Sequence, residues 1–152
     1  MKRSVLSVMF VLIIFMPTGQ ALPNENLDAA EKLINAQEYK KAVGRLKEVT
    51  KKDPSNTRAW VLMGDSYSSW GKHKQAVKAY EKALELDASQ KEALMGMGMS
   101  YGNMTKYGEA IVPLKHLVEI EPSNALAHFY LGVSYEALRS MNMAWEEYKI
   151  LK

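Results

Sequence analysis

Cysteine is absent from the 152-residue sequence, and its absence excludes several kinds of chemistry together. A chain without thiols has no disulfide, no thiolate ligand for a metal, no cysteine nucleophile and no cysteine that could carry a lipid. Neither sign of charge is in large excess, since 20 Lys and Arg against 17 Asp and Glu leave a formal net charge of +3. Phosphate binding needs clustered Lys and Arg, so we do not expect a nucleic-acid partner.

The apolar run at the N-terminus is too short for a transmembrane helix. Residues 5–16 give 12 nearly uninterrupted apolar positions, whereas a helix that crosses a bilayer takes about 20. The run follows Lys2 and Arg3 and precedes the small residues Gly19 and Ala21. A charged start, an apolar stretch and small residues at a cleavage position are typical of a signal peptide.

The sequence therefore predicts a signal peptide at residues 1–21, cleaved after Ala21, and a mature domain at residues 22–152. These segments predict a periplasmic or secreted protein. The alternative is an uncleaved signal anchor, in which case the same N-terminal segment would hold the protein at a membrane.

A repeat with a period of 34 residues organises the rest of the chain. Each loop between the repeated segments combines turn formers with residues that favour a helix start. The chain is therefore expected to be a repeat array. The recurring positions are Ala42, Ala76, Ala110 and Ala144; Gly64, Gly98 and Gly132; Tyr67, Tyr101 and Tyr135; and the loops that begin at Asp53, Asp87 and Glu121.

The residues at these positions resemble the tetratricopeptide repeat family, whose pattern places Trp, Leu-Gly and Tyr in one helix and Ala, an aromatic residue and Pro later. His128 departs from the pattern, because it stands where the second repeat has Trp60. The resemblance implies an all-α fold, a right-handed superhelical stack of about four helical hairpins, or α-solenoid. The second repeat matches most completely, with Trp60, Met63, Gly64, Tyr67, Ala76 and Tyr80. The repeats lie at about 23–56, which is degenerate, 57–90, 91–124 and 125–152, which is truncated.

The three glycines of the repeat indicate close packing between helices. A glycine inside a helix costs about 1 kcal/mol relative to alanine, so a fixed glycine step indicates that contact offsets the penalty. We expect the alanine series to face the glycines. The tyrosine series, three residues after each glycine, is expected to fill the space between hairpins.

The resemblance also implies a ligand groove lined by the first helix of each hairpin, here called the leading helix. Flexible, polarisable methionine side chains at Met95 and Met99 favour an amphipathic helix or an extended apolar peptide as the ligand. The same two residues would serve equally well in the core, which leaves both uses open. Some family members hold peptide carboxylates with groove Lys and Asn residues; only Asn103 is available here, so an acidic tail is not the expected ligand. The predicted groove residues are Val61, Asp65, Ser68, Met95, Met99, Asn103, Phe129, Val133 and Glu136.

The predicted function is a protein-interaction scaffold that binds a peptide or helix of an envelope or secreted partner. No cofactor, metal or small-molecule substrate is expected, and the protein is not expected to be an enzyme. Asp65 and Glu136 lie two repeats apart, and no His-Glu-x-x-His stretch occurs. The alternative is a structural module that assembles into homo-oligomers, because solenoids usually need a polar end cap. The last helix instead carries a flank of Trp145, Tyr148, Ile150 and Leu151.

Overall fold

The computed structural model describes residues 23–151, and the predicted signal peptide at residues 1–21 lies outside the described residues. Within this range the regular elements are eight α-helices, which pair into four hairpins. We call the first helix of each hairpin leading and the second trailing. The helices are α1 (Pro23–Asn35), α2 (Tyr39–Lys52), α3 (Thr57–Ser69), α4 (His73–Leu86), α5 (Lys91–Asn103), α6 (Tyr107–Ile120), α7 (Ala125–Ala137) and α8 (Met141–Lys149).

The hairpins form one continuous stack. Each helix packs against the next one in the chain, and the leading helices also pack against one another, α1 on α3, α3 on α5 and α5 on α7. Each hairpin thus contacts its neighbours in the chain, which is the arrangement of a solenoid. The predicted all-α, right-handed superhelical stack of about four hairpins is confirmed.

The loops between hairpins begin the leading helices as their sequence predicts. The side-chain oxygen of Asn56 accepts a hydrogen bond from the backbone N–H of Ala59, and Asn124 accepts the equivalent bond from Ala127. These contacts satisfy N–H groups that the first turn of a helix leaves without partners. Helices α3 and α7 therefore start at fixed positions after their loops.

The glycines of the 34-residue series lie beneath large side chains of the trailing helices. A Cβ atom added to Gly64 would lie 2.5 Å from Cδ1 of Tyr80, against 3.4–4 Å for an ordinary contact. The residue nearest to each glycine follows the alanine of the series by four positions, one helical turn later. The pairs are Gly64 with Tyr80, Gly98 with Leu114, and Gly132 with Tyr148.

The turn inside each hairpin contains one residue with left-handed backbone geometry. These residues recur at the 34-residue step, with φ between 58° and 73°. Glycine adopts this conformation readily, whereas a side chain makes it costly. The second hairpin uses glycine and the other three do not: the residues are Gln37, Gly71, Thr105 and Arg139.

His128 takes over the hydrogen bond that tryptophan makes in the second hairpin. Nε1 of Trp60 donates to the carbonyl oxygen of Pro54 at 2.9 Å, and Nε2 of His128 donates to that of Pro122 at 3.0 Å. The other ring nitrogen, Nδ1, lies 2.6 Å from a carboxylate oxygen of Glu147 in α8. His128 is 5% exposed, so this buried contact ties the last trailing helix to the last leading helix.

The tyrosine series packs between hairpins as predicted, with Tyr67 and Tyr101 partly buried and Tyr135 buried. The predicted exposed flank of α8 needs one correction. Tyr148 is not part of it, because its ring covers Gly132 and its hydroxyl donates to Glu136 at 3.0 Å. The residues Trp145, Ile150 and Leu151 are 57%, 55% and 39% exposed.

Candidate functional site

A cavity of about 680 Å³ opens on the leading-helix side of the stack, between α3 and α5. We call it the α3–α5 groove. A second hollow of about 200 Å³ lies between α5 and α7, and Met99 lines both cavities. The α3–α5 groove is lined by Asp65, Ser68, Ser69, Tyr80, Lys91, Glu92, Met95, Gly96, Met99, Leu117, Glu121 and Asn124.

Six of the nine predicted groove residues line one of the two cavities. Asp65, Ser68, Met95 and Met99 line the α3–α5 groove. Asn103 and Val133 line the smaller hollow, together with Met99. The two cavities therefore bring together predicted residues from three successive leading helices.

The other three predicted residues lie elsewhere. Val61 is 6% exposed and packs in the core formed between α3, α4 and α5, so its side chain does not face the groove. Phe129 is 45% exposed and stacks edge-on against Tyr130. Glu136 accepts the hydrogen bond from the Tyr148 hydroxyl.

The two methionines differ in how they combine core and groove. Met95 packs against two clusters of buried residues while it also lines the groove. Met99 is partly buried and lines both cavities, so it joins the groove to the hollow. Because methionine is flexible and polarisable, this surface can adjust to different apolar side chains.

Tyr80 reaches the groove from the trailing helix α4, and sequence reasoning did not find it. Its ring lies over both Gly64 and Gly96; a Cβ at Gly96 would lie 2.5 Å from the tyrosine oxygen. The hydroxyl then donates a hydrogen bond of 2.7 Å to Oδ1 of Asp65. The sequence signal for this contact was Gly96, which lies outside the repeating glycine series. The equivalent positions in the second and fourth hairpins hold the large residues Leu62 and Tyr130.

Burial shapes the electrostatics of this pair. Loss of solvent raises the pKa of Asp65 above its usual range; the Tyr80 hydrogen bond opposes that rise, and the negative charge of Glu92 adds to it. The pKa of Tyr80 is also raised, first by burial and then by the neighbouring Asp65 charge and hydrogen bond. In both side chains, burial disfavours the negatively charged form.

The charged residues that line the groove are mostly acidic. Asp65, Glu92 and Glu121 supply carboxylates and Lys91 supplies the ammonium. That ammonium lies 3.7 Å from the Glu121 carboxylate and is paired with it. The region around Asp65 and Glu92 is therefore electronegative.

Two further features of the described residues bear on chemistry and location. No group of three or more His, Asp or Glu side chains in this part of the chain is placed to hold a metal ion. None of the described helices combines the length and the apolar character needed to cross a membrane.

Comparison with known proteins agrees with the repeat geometry. The family model described as tetratricopeptide repeat matches residues 57–90, which are α3, α4 and the loop after them. None of the curated protein sequences compared with the chain matches it.

Solved structures share the stack of helical hairpins. A crystal structure of MamA superposes with a TM-score of 0.82 at 19% identity, covering 85% of this chain and 75% of that one. MamA residues 41 to the end, from Desulfovibrio magneticus RS-1, give 0.81 at 19% identity over 85% and 73%. The first tetratricopeptide-repeat domain of Spaghetti (RPAP3), bound to the HSP90 peptide SRMEEVD, gives 0.74 at 21% identity over 77% and 93%. At these identities the likeness establishes the fold alone.

Proposed function

We propose that this protein is an interaction scaffold that holds a peptide or amphipathic helix of another protein in the α3–α5 groove. The observation that carries the proposal is an open cavity of about 680 Å³ whose floor includes Met95 and Met99. A cavity of this size accommodates several side chains of a bound segment. The apolar, flexible side chains of these two methionines suit the apolar face of a helix or an extended peptide.

The RPAP3 domain supports a peptide-binding role for this fold, because its structure contains a bound HSP90 peptide. That peptide, SRMEEVD, is acidic. The α3–α5 groove instead carries the carboxylates of Asp65, Glu92 and Glu121. We therefore propose that the present protein binds a different class of segment, chosen first by apolar contact.

A pull-down with the full chain tests this role. Met99→Asp places a charge on the groove floor and should abolish retention of a partner, because burying an unpaired charge is costly. Val112→Asp is the matched control: Val112 lies on the trailing helix α6 and is 71% exposed. Loss of a partner with the first variant alone supports the proposal, and equal retention by both variants contradicts it.

We also propose that the protein is exported and that its partner is an envelope or secreted protein. The support is the signal-peptide pattern of residues 1–21. The intact mass and the N-terminal sequence of the protein recovered from its cells test the proposal. A chain beginning at Leu22 is the expected result. A full-length chain in the membrane fraction would instead indicate an uncleaved anchor.

A second candidate function is self-assembly through α8. This helix and the residue that follows it carry apolar side chains that are each 49–59% exposed, at Met141, Met143, Trp145 and Ile150. Exposed apolar surface of this kind favours a contact with another copy. Sedimentation velocity of the full chain and of Met143→Glu separates the two functions: an oligomer that dissociates with this variant supports self-assembly, whereas a monomer in both cases removes it.

A further inference from the structure

The first two leading helices of the stack are joined by an ion pair that has a counterpart one repeat later. Nε and Nη2 of Arg58 on α3 donate to Oε1 of Glu31 on α1 at 2.9 and 2.7 Å. Adding 34 residues to each position gives Glu92 on α5 and Asp65 on α3. The same place in the next repeat step therefore has two carboxylates where the first step has a carboxylate and a guanidinium.

Within residues 23–151, no cation of the chain pairs with these two carboxylates. Among residues 23–151, the Glu92 side chain makes no hydrogen bond or ion pair, and Asp65 receives its hydrogen bond from Tyr80 on Oδ1. The nearby ammonium of Lys91 is directed to Glu121. Both carboxylates line the α3–α5 groove, and the charge of Glu92 contributes to the raised pKa of Asp65.

The pair of carboxylates does not recur at the following repeat step. Adding 34 residues again gives Met99 and Leu126, which are both apolar. The leading-helix side thus has an ion pair at the first step, two carboxylates without a paired cation among the described residues at the second, and two apolar side chains at the third. The two carboxylates of the second step line the α3–α5 groove together with Met95 and Met99.

We propose that the segment bound in the groove is a basic amphipathic one, which places an arginine or lysine side chain between Asp65 and Glu92. This inference rests on the proposed function and names its ligand chemistry. The incoming cation takes the position that Arg58 occupies one repeat earlier. Apolar residues of the segment then contact Met95 and Met99.

Arginine fits this position better than lysine. A guanidinium is planar and presents several N–H donors, so it can bind both carboxylates at once. The Glu31–Arg58 contact already shows two donors of one guanidinium bonded to a carboxylate oxygen at this register. A neutral side chain would leave the two acids uncompensated, and an acidic one would add a third negative charge.

Selection from a defined peptide pool tests the inference. The pool contains 14-residue amphipathic peptides with a fixed apolar stripe and with Arg, Lys, citrulline, Gln or Glu at the other positions. Full-length protein is immobilised, and the retained peptides are identified by mass spectrometry. We expect arginine peptides to be enriched about tenfold over their citrulline counterparts, since charge-assisted hydrogen bonds are substantially stronger than neutral ones. Added salt should reduce the enrichment.

Variants assign the enrichment to the acidic pair. Asp65→Asn with Glu92→Gln should remove the preference for cations while apolar peptides are still retained. Glu119→Gln, which removes one exposed carboxylate from α6 outside the groove, should leave it unchanged. Glu92→Arg should also remove the preference, because the chain then supplies its own cation as it does at Arg58.

The possible outcomes distinguish a failure of the cation preference from a failure of peptide binding. Peptides retained without a charge preference, or a preference that survives the double variant, would overturn the cationic ligand and leave the groove intact. If the folded wild-type protein retained no peptide, both the cationic ligand and the peptide-binding groove would be overturned.

Discussion

Replacing Gly64 with alanine tests the packing that positions the groove. The added Cβ would lie 2.5 Å from Cδ1 and 2.7 Å from Cζ of Tyr80, about 1 Å inside an ordinary contact. The ring cannot move aside, because Tyr80 is 1% exposed, covers Gly96 on α5 and is hydrogen-bonded to Asp65. We assign an overpacking cost of about 3 kcal/mol and a gain of about 1 kcal/mol from the better helix propensity of alanine. The net loss is about 2 kcal/mol.

Gly44 is the matched control. It is exposed inside α2, and a Cβ there would meet nothing within 4 Å. Gly44→Ala should therefore gain up to about 1 kcal/mol. With a urea dependence of about 2 kcal/mol per molar, Gly64→Ala should lower the unfolding midpoint by about 1 M, and Gly44→Ala should raise it by up to about 0.5 M. Midpoints that rise by the same amount in both variants would refute the close contact with Tyr80.

Three further predictions concern stability. Thr105→Gly should raise the unfolding free energy by about 1 kcal/mol, because a β-branched residue there holds a left-handed φ of 58°; a lower urea midpoint would contradict this. Asp65→Asn should raise the midpoint at pH 7, since its raised pKa means that folding disfavours the ionised form. That penalty is absent below the ordinary value of 3.8 and grows as pH rises through the raised pKa, so the advantage should shrink toward pH 4. Glu147→Ala should cost about 2 kcal/mol by leaving buried His128 without its Nδ1 partner, and faster hydrogen exchange in α8 should report the loss.

The stack was predictable because the sequence repeats its helix signals. Asn56 and Asn124 cap leading helices, and Tyr67 and Tyr135 occupy equivalent packing positions. Each of these signals depends on nearby residues and recurs at the same step. Local chemistry repeated in register is sufficient to specify hairpins that stack on one another.

The contacts across the stack were not predictable in the same way. Val61 was assigned to the groove, but α5 closes over it through the small, fully buried Ala93. Tyr80 was assigned only to the repeat pattern, yet its hydroxyl enters the groove because Gly96 leaves room for the ring. Both outcomes depend on how closely the next helix approaches. That distance cannot be predicted from the spacing of residues within one repeat.

The turn geometry escaped detection for a different reason. Glycine is the usual sign of a left-handed residue, and Gly71 alone carries it among the four equivalent positions. Thr105 has the same backbone conformation without that sign. The geometry is imposed by the closure of each hairpin, so the residue type does not reveal it.

Site-specific photo-cross-linking tests whether the leading-helix groove holds a segment of another protein. A benzophenone amino acid replaces Met99 in the groove in one chain and the 71% exposed Val112 on α6 in another. Both chains are produced in the cells that normally make the protein and irradiated there. We expect that the probe at Met99 joins a specific segment of one other protein, that Met95→Asp abolishes this product, and that the probe at Val112 does not form it. The same product from both positions, or a product at Met99 that Met95→Asp does not change, would contradict this expectation.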